Sequence, residues 1–193
     1  MPGWGDLVGD VLEVAPRLLG SVVRHGDVAV RLAEVEAYDG PGDPGSHAFN
    51  GQTRRNATMF GPPGRLYVYF TYGMHHCCNV VVGVEGTPSA VLLRAGEVVD
   101  GIDTARQRRR GSDRDLARGP ARLCEALGID LRHDGVDLRT GPVTLTPPMR
   151  PETRVATGPR VGLRGAPDRP WRFWIEGDRF VSTYRPASVR PPR

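Results

Sequence analysis

The sequence predicts an α+β fold in a single domain. Strand-like and helix-like segments intermix along the 193 residues without the regular alternation that a parallel α/β sheet requires. Hydrophobic residues make up 39% of the chain, which is enough for one sizeable core. We find no internal repeat and no low-complexity linker that would divide the chain. The domain therefore covers residues 1–193, with fraying expected at about residues 1–9 and 186–193.

The first predicted strand covers residues 28–38, VAVRLAEVEAY, in which apolar and polar side chains alternate. It runs into DGPGDPG, a strong turn cluster. A loop rich in Gly, Asn and Arg follows over residues 40–64. The chain is therefore expected to leave the sheet after Tyr38 and to return to it near residue 65.

A β-hairpin is predicted after this loop. Residues 65–71, RLYVYFT, are β-branched or aromatic, which favours a strand. Residues 79–84, NVVVGV, predict the partner strand, and Tyr72-Gly73 between the two runs indicates the tip of the hairpin. A further buried strand is predicted at residues 90–93.

One helix is marked by the residues at its two ends. Pro120 stands before ARLCEAL and Gly128 after it, and helices often begin with proline and end with glycine. Residues 154–181 are interrupted by Pro and Gly, with an aromatic strand predicted at residues 171–175, WRFWI. The tail from Pro186 is expected to fray.

Composition excludes several classes of protein. No apolar run approaches the roughly 20 residues that a membrane helix needs. Residues 1–20 carry Asp6, Asp10 and Glu13 before their first arginine, unlike the basic start of a signal peptide. The three cysteines, two of them adjacent, cannot form a disulfide framework. We expect a cytoplasmic protein and exclude secreted, membrane and collagen-like classes.

The charge is basic and unevenly distributed. The net charge is +4, and all 26 basic residues are arginine. Residues 1–50 hold eight acidic residues and three arginines, whereas residues 51–193 hold fourteen and twenty-three. A GC-rich genome would produce an arginine bias, but a surface that binds phosphates has the same composition. We interpret the run at Arg106–Arg110 as a solvated, mobile surface that could graze phosphates.

Two strands carry polar side chains that could form a site. Glu34, Glu36 and Tyr38 share one face of the first strand, either as a solvated edge or as part of a site. Tyr67 and Tyr69 share one face of the hairpin strand, where ordinary core packing is the alternative to a binding wall.

The histidines and cysteines at residues 75–78 do not predict a metal site. Neighbouring residues in a strand point to opposite faces, and no second pair stands at a spacing typical of zinc ligands. The sequence also lacks the GxxxxGK[ST] phosphate loop and a GxSxG nucleophile motif. We therefore expect neither a metal nor a cofactor.

The motifs together resemble the alkyladenine (3-methyladenine) DNA glycosylase family. Those within residues 34–81 are E-x-E-A-Y, a following His, R-N-x-x-M-F, L-Y-V-Y, Y-G-M and the Asn after the cysteines. Those beyond are VLLRAGE at residues 91–97, the Gly-Pro-x-x-Leu-Cys helix at residues 119–124 and RVG at residues 160–162. The resemblance covers roughly residues 10–183. One departure is Arg54, where a proline often precedes the R-N pair.

The resemblance implies a curved, largely antiparallel sheet with peripheral helices and a protruding hairpin that inserts into DNA. It implies an enzyme that flips a damaged purine out of the duplex into a pocket. Tyr38, His47 and Tyr69 would form that pocket, with the two tyrosine rings on either side of the base. Asn79 would help reject normal guanine, whose 2-amino group would crowd it.

The resemblance also implies the catalytic and DNA-contacting residues. Glu36 would be the general base that activates water for attack on C1′ of the deoxyribose. Arg94 would orient the water network or the target phosphate. Tyr72 would wedge into the space that the flipped nucleotide leaves, and Met74 and Arg55 would contact DNA beside it.

The expected activity is a monofunctional DNA glycosylase of base excision repair, a monomer acting on double-stranded DNA with damaged purines and associated with the bacterial nucleoid. A strand-cutting glycosylase uses an amine to attack C1′, usually a lysine, and this chain has no lysine. The amine of Pro2, exposed if Met1 were removed, is the one remaining candidate. The alternative is a non-catalytic nucleic-acid-binding module, which would have no use for Glu36.

Overall fold

The structure, a computed structural model, describes residues 7–71 and 73–187. Its helices are α1 (Val11–Arg17), α2 (Ile102–Arg108) and α3 (Pro120–Leu127). Its strands are β1 (Val22–His25), β2 (Val28–Asp39), β3 (Leu66–Thr71), β4 (His75–Val82), β5 (Ser89–Asp100), β6 (Val143–Thr146), β7 (Val155–Gly158) and β8 (Arg172–Ile175). The predictions of frayed ends at residues 1–6 and 188–193 lie outside the described residues.

The strands form one antiparallel sheet that curls into a half-barrel, which confirms the predicted α+β fold. Its order is β3-β4-β5-β2-β1-β6, and β8 extends it by pairing with both β2 and β7. The two 12-residue strands β2 and β5 pair along almost their whole length at the centre of the sheet, and we call this pair the spine. The register of this pair shifts between Leu32 and Val35, and a bulge of this kind bends a strand. On the other edge of β2 the partner changes from β1 before the bulge to β8 after it.

The two faces of the sheet have different contents because strand side chains alternate. Leu66 and Val68 of β3 belong to the main core, which α1 and α3 cover. Tyr67, between them, belongs to a second, smaller cluster on the opposite face, and Tyr69 packs against that cluster. No helix of the described residues is both long enough and apolar enough to cross a membrane.

Several predicted elements are confirmed, and β3 and β8 each begin one residue later than predicted, whereas β4 and β5 begin earlier. The β3–β4 hairpin pairs from Leu66 opposite Val80 to Thr71 opposite His75. β4 begins at His75, earlier than predicted, because its polar first residues pair with β3 across the hairpin. The predicted tip residue Tyr72 lies outside the described part of the chain. β5 continues well past Leu93 because β2 offers a partner along its whole length.

The sequence analysis missed α1, β1, α2, β6 and β7. Each has seven residues or fewer, which is too short for hydrophobic periodicity to be distinctive. α1 also contains Pro16, which argues against a helix at the sequence level. Its start is fixed instead by the side chain of Asp10, which accepts a hydrogen bond from the backbone N–H of Leu12.

The arginine run at Arg106–Arg110 is solvated as expected, apart from the partly buried Arg109, but two of its arginines are hydrogen-bonded to the rest of the fold. Its first residues form the last turn of α2. Arg108 donates to the carbonyl of Ala126, and Arg109 donates to the carbonyl of Asp115. The run therefore fastens α2 to the neighbouring helix and loop.

The bulged spine requires a glycine in β5. A Cβ atom at Gly96 would lie 2.2 Å from the backbone oxygen of Arg31 on β2. We expect Gly96→Ala to lower the free energy of unfolding by about 1–3 kcal/mol, because the strands would have to separate locally. The measurement is urea-induced unfolding followed by circular dichroism.

Gly9→Ala is the matched control for this substitution. Its Cβ would meet Val14 at 3.7 Å, an ordinary contact, and the backbone of Gly9 is not left-handed. We expect its unfolding midpoint to equal that of the parent protein. Equal midpoints for Gly96→Ala and the parent would show that the spine does not need the glycine.

Candidate active site

A cavity of about 260 Å³ lies on the face of the sheet opposite the main core. Strands β2, β3, β4 and β5 supply its walls through alternate residues, and two loops close it. The lining residues that carry polar or aromatic groups are Glu36, Tyr38, His47, Tyr67, Tyr69, Cys77, Asn79 and Arg94. The pocket residues predicted by resemblance, including the catalytic pair, are thus brought together.

Glu36 is fully buried and both its carboxylate oxygens accept hydrogen bonds. The hydroxyl of Tyr38 donates to Oε2 at 2.9 Å, and the backbone N–H of Val161 donates to Oε1 at 2.7 Å. Burial, followed by the charge of Glu36, raises the pKa of Tyr38 well above its usual value. Tyr38 therefore stays protonated and remains a donor to the carboxylate.

The aromatic wall is formed by β3 and by the loop after β2. The ring of His47 meets the ring of Tyr69 edge-on, with centroids 4.4 Å apart. His47 Nδ1 lies 2.9 Å from the hydroxyl oxygen of Tyr67. Burial, and then the nearby charge of Arg55, lower the pKa of His47 to about 4. The imidazole is therefore neutral at physiological pH.

The floor of the cavity comes from β4. Asn79 donates through Nδ2 to the carbonyl of Tyr67 at 3.1 Å, so its amide is fixed in one orientation. Cys77 lies beside Tyr69, and burial raises the pKa of the Cys77 thiol to about 11. Cys77 is thus a neutral, weakly nucleophilic group in the wall.

Arg94 reaches from β5 to lie between two buried carboxylates. Its Nη1 is 3.5 Å from Glu36 Oε1. Its Nε is 3.0 Å from Glu34 Oε1, an ion pair without the alignment of a hydrogen bond. Glu34 also accepts a hydrogen bond from Arg172 Nε, and two from the backbone N–H and hydroxyl of Ser182 at 2.7 and 3.0 Å.

A second ion pair, which the sequence analysis did not predict, supports Tyr38 from behind. The guanidinium of Arg160 is 1% exposed, donates to both oxygens of Asp43 and also donates to the carbonyl of Ala37. It lies 4.7 Å from the ring centroid of Tyr38 and 5.1 Å from that of Trp171. The RVG motif at residues 160–162 singled out Arg160 in the sequence, but nothing in the sequence indicated that Asp43 is its partner.

A groove of about 500 Å³ adjoins the cavity and shares Arg94 and Val161 with it. Its basic lining residues are Arg94, Arg109, Arg118, Arg122 and Arg185, against the single acidic residue Asp115. The sequence analysis missed this groove because its arginines are scattered over 92 positions of the chain. Only the count of arginines hinted at such a surface.

The predicted DNA-contacting residues lie near the hairpin. Met74 is 66% exposed beside the hairpin tip. Arg55 donates to the carbonyl of Phe70 and stands 5.5 Å from the ring centroid of Tyr69. Tyr72, the predicted wedge, lies outside the described residues. Within residues 7–71 and 73–187, no group of three or more potential ligands is arranged to hold a metal ion.

Comparisons with known proteins identify the family to which the chain is similar. The family model described as methylpurine-DNA glycosylase matches residues 6–179. A protein of Leifsonia xyli is 55% identical over 97% of this chain and 95% of its own length, and one of Streptomyces avermitilis is 53% identical over 95% and 91%. A protein of Burkholderia cenocepacia is 51% identical over 88% and 85%. All three carry the name "Putative 3-methyladenine DNA glycosylase".

The motifs, the half-barrel and the match over nearly the whole length agree with one another. The pocket residues named from the resemblance surround one cavity. The relatives of Leifsonia xyli and Streptomyces avermitilis are more than half identical to this chain and align with nearly its whole length. The chain belongs to the methylpurine-DNA glycosylase family.

Proposed function

We propose that the protein is a monofunctional DNA glycosylase that acts as a monomer on duplex DNA. It removes alkylated or deaminated purines by hydrolysing the N-glycosidic bond and leaves an abasic site. The observation that carries this proposal is the buried carboxylate of Glu36 in the wall of an aromatic cavity. A module that only bound the DNA polyanion would have no use for a buried negative charge there, which disfavours the non-catalytic alternative.

The cavity suits a purine that has been flipped out of the duplex, because a glycosidic bond inside the helix is out of reach. Tyr38 and Tyr69 offer ring faces, and an electron-poor alkylated base gains about 0.5–2 kcal/mol from such contacts. Neutral His47 adds no charge that would repel a cationic base. Asn79, held against the carbonyl of Tyr67, would exclude the 2-amino group of normal guanine.

Hydrolysis needs a nucleophile and stabilisation of positive charge on the sugar. Glu36 takes a proton from water while the water oxygen forms a bond to C1′, and the electron pair of the C1′–N bond leaves with the base. The carboxylate also stabilises the oxocarbenium-like transition state. A base that alkylation has made cationic leaves as a neutral molecule, so it needs no acid, whereas a neutral deaminated purine leaves as an anion that takes up a proton from water. Arg94, between the carboxylates, orients the water or the target phosphate.

The arginine groove beside the cavity would bind phosphates of the damaged strand. It opens next to Arg94 and Val161, so a strand whose nucleotide occupies the cavity would pass close to it. On the other side, the β3–β4 hairpin would enter the minor groove, with Tyr72 filling the vacated space and Met74 and Arg55 contacting the duplex beside it.

Replacing the proposed base tests the catalytic role. We expect Glu36→Gln to bind abasic-site DNA normally but to release base about 100- to 10,000-fold more slowly, since general base catalysis is lost. The measurement is single-turnover release of 7-methylguanine from a duplex oligonucleotide. The exposed Glu85→Gln is the matched control and should excise at the parent rate. Near-native excision by Glu36→Gln would refute the assignment.

The arginine groove predicts a specific salt dependence. The side chain of Arg122 is 45% exposed in the groove. We expect Arg122→Ala to weaken binding to a lesion-containing duplex and to reduce the slope of log K, the logarithm of the association constant, against the logarithm of salt concentration by about 0.9. Fluorescence anisotropy at several salt concentrations measures both quantities. Arg132→Ala, a more exposed arginine outside the groove, is the control. If both variants keep the parent slope, the groove does not bind phosphates.

The absence of lysine from the sequence predicts that no Schiff base forms. Arginine cannot replace lysine because its pKa lies above about 12. We expect no protein–DNA adduct after treatment with borohydride, and strand breaks only after hot alkali has cleaved the abasic site. A trapped adduct would contradict the monofunctional assignment and would direct attention to the amine of Pro2, which lies outside the described residues.

A further inference from the structure

Glu34 is a fully buried carboxylate beside the cavity that the proposed reaction leaves without a role. It stands two residues before Glu36 on β2, and both carboxylates contact the guanidinium of Arg94. Burying a charge is costly, and a neutral side chain of similar size would hold the same strands together. The position of Glu34 against Arg94 therefore calls for an explanation.

The buried charges at this point balance. Two carboxylates, Glu34 and Glu36, meet two arginines, Arg94 and Arg172. Arg172 donates to Glu34 and to the carbonyl of Ser182, and although it lies opposite Glu36 in the β2–β8 ladder, its guanidinium pairs with Glu34. These four residues, the quartet, carry no net formal charge. The positive charges of Arg94 and Arg172 therefore do not exceed the negative charges of Glu34 and Glu36.

Apart from Glu36 and Arg94, the residues that line the cavity carry no formal charge. Tyr38 is protonated, and Cys77 on β4 is a neutral thiol. His47 across the cavity is neutral. Arg160, behind the ring of Tyr38, is paired with Asp43. The quartet is therefore the set of charges nearest to Glu36, whereas Arg55, whose charge reaches His47, stands 5.5 Å from the ring centroid of Tyr69.

Without Glu34, the same site would carry a surplus positive charge. Arg94 would then oppose both a cationic base and the positive charge that develops on the sugar, in a site where water screens little.

We propose that Glu34 is a positioning residue that holds Arg94 and offsets its charge, so that the carboxylate of Glu36 acts on the water and the sugar. This inference rests on the proposed glycosylase function. A purely structural Glu34 would only anchor Ser182 and Arg172 to β2. The two roles predict different excision rates for a variant in which the net charge of the quartet is zero but residue 34 is no longer a carboxylate.

Three variants change the charge of the quartet in a controlled way. Glu34→Gln makes it +1, Arg172→Met makes it −1, and the double variant returns it to zero. Glutamine keeps a side-chain oxygen that can face Arg94 Nε, so the variants change the charge while retaining that contact. We expect Glu34→Gln to excise 7-methylguanine about 10- to 100-fold more slowly in single turnover. The double variant should recover to within about threefold of the parent rate, and Arg172→Met alone should excise no more than about threefold more slowly than the parent.

The matched control is the Glu97–Arg31 pair, which joins the same two strands at 3.0 Å near the surface. Glu97→Gln, and the double variant with Arg31→Met, should leave excision at the parent rate. Melting temperature and binding to abasic-site DNA report whether each variant is folded with an intact site. Because the double variant has no unpaired buried charge, it decides the question even if Glu34→Gln alone does not fold.

Three results would overturn this role. The first is excision by a folded Glu34→Gln variant at nearly the parent rate. The second is a double variant that melts like the parent but excises more than about tenfold more slowly. The third is an Arg172→Met variant that is folded yet slowed as much as Glu34→Gln is expected to be. A parent protein that releases no base from any lesion would instead refute the proposed function.

Discussion

A carboxylate buried as deeply as Glu36 must be given partners, and the arrangement of the site follows from that requirement. Its partners come from distant parts of the chain: the hydroxyl of Tyr38 from its own strand, the guanidinium of Arg94 from β5, and the N–H of Val161 from the segment before β8. Each partner needs support of its own. Glu34 holds Arg94, while the Arg160–Asp43 pair fixes the segment that carries Val161. The ionic contacts thus join β2 to β5 and to the loops around the cavity.

The half-barrel can hold these buried ionic contacts because one face of its strands forms the main core and the other face forms the cavity. Residues that alternate along β2 to β5 send aliphatic side chains into the main core and polar or aromatic ones into the cavity. The bulge in β2 lies beside Glu34, and there the strand changes partner from β1 to β8. Bending the strand at that point brings Arg172 and Ser182 onto the carboxylate, so the backbone irregularity and the charge cluster depend on each other.

The sequence alone was sufficient to predict the elements that have a strong local pattern and the site residues that lie within recognisable motifs. The hairpin strands and α3 could be predicted because β-branched runs, Pro120 and Gly128 are local signals. Tyr38, His47 and Tyr69 came from the family resemblance. The Arg160–Asp43 pair could not be predicted, since its residues are separated by 117 positions, and neither could the role of Glu34, which is defined by Arg94 and Ser182. Short elements such as β1 and β6 have too few residues for periodicity to reveal them.

The groove beside the cavity carries a charge that cannot be switched off. Its basic lining residues are all arginine, and guanidinium groups stay protonated at any pH at which the protein is folded. Cells commonly weaken nucleic-acid contacts by acetylating lysine side chains, and that chemistry has no target in a chain without lysine. The affinity of such a surface for a polyanion responds instead to ionic strength, so salt concentration is the variable that remains for weakening its contacts with phosphates.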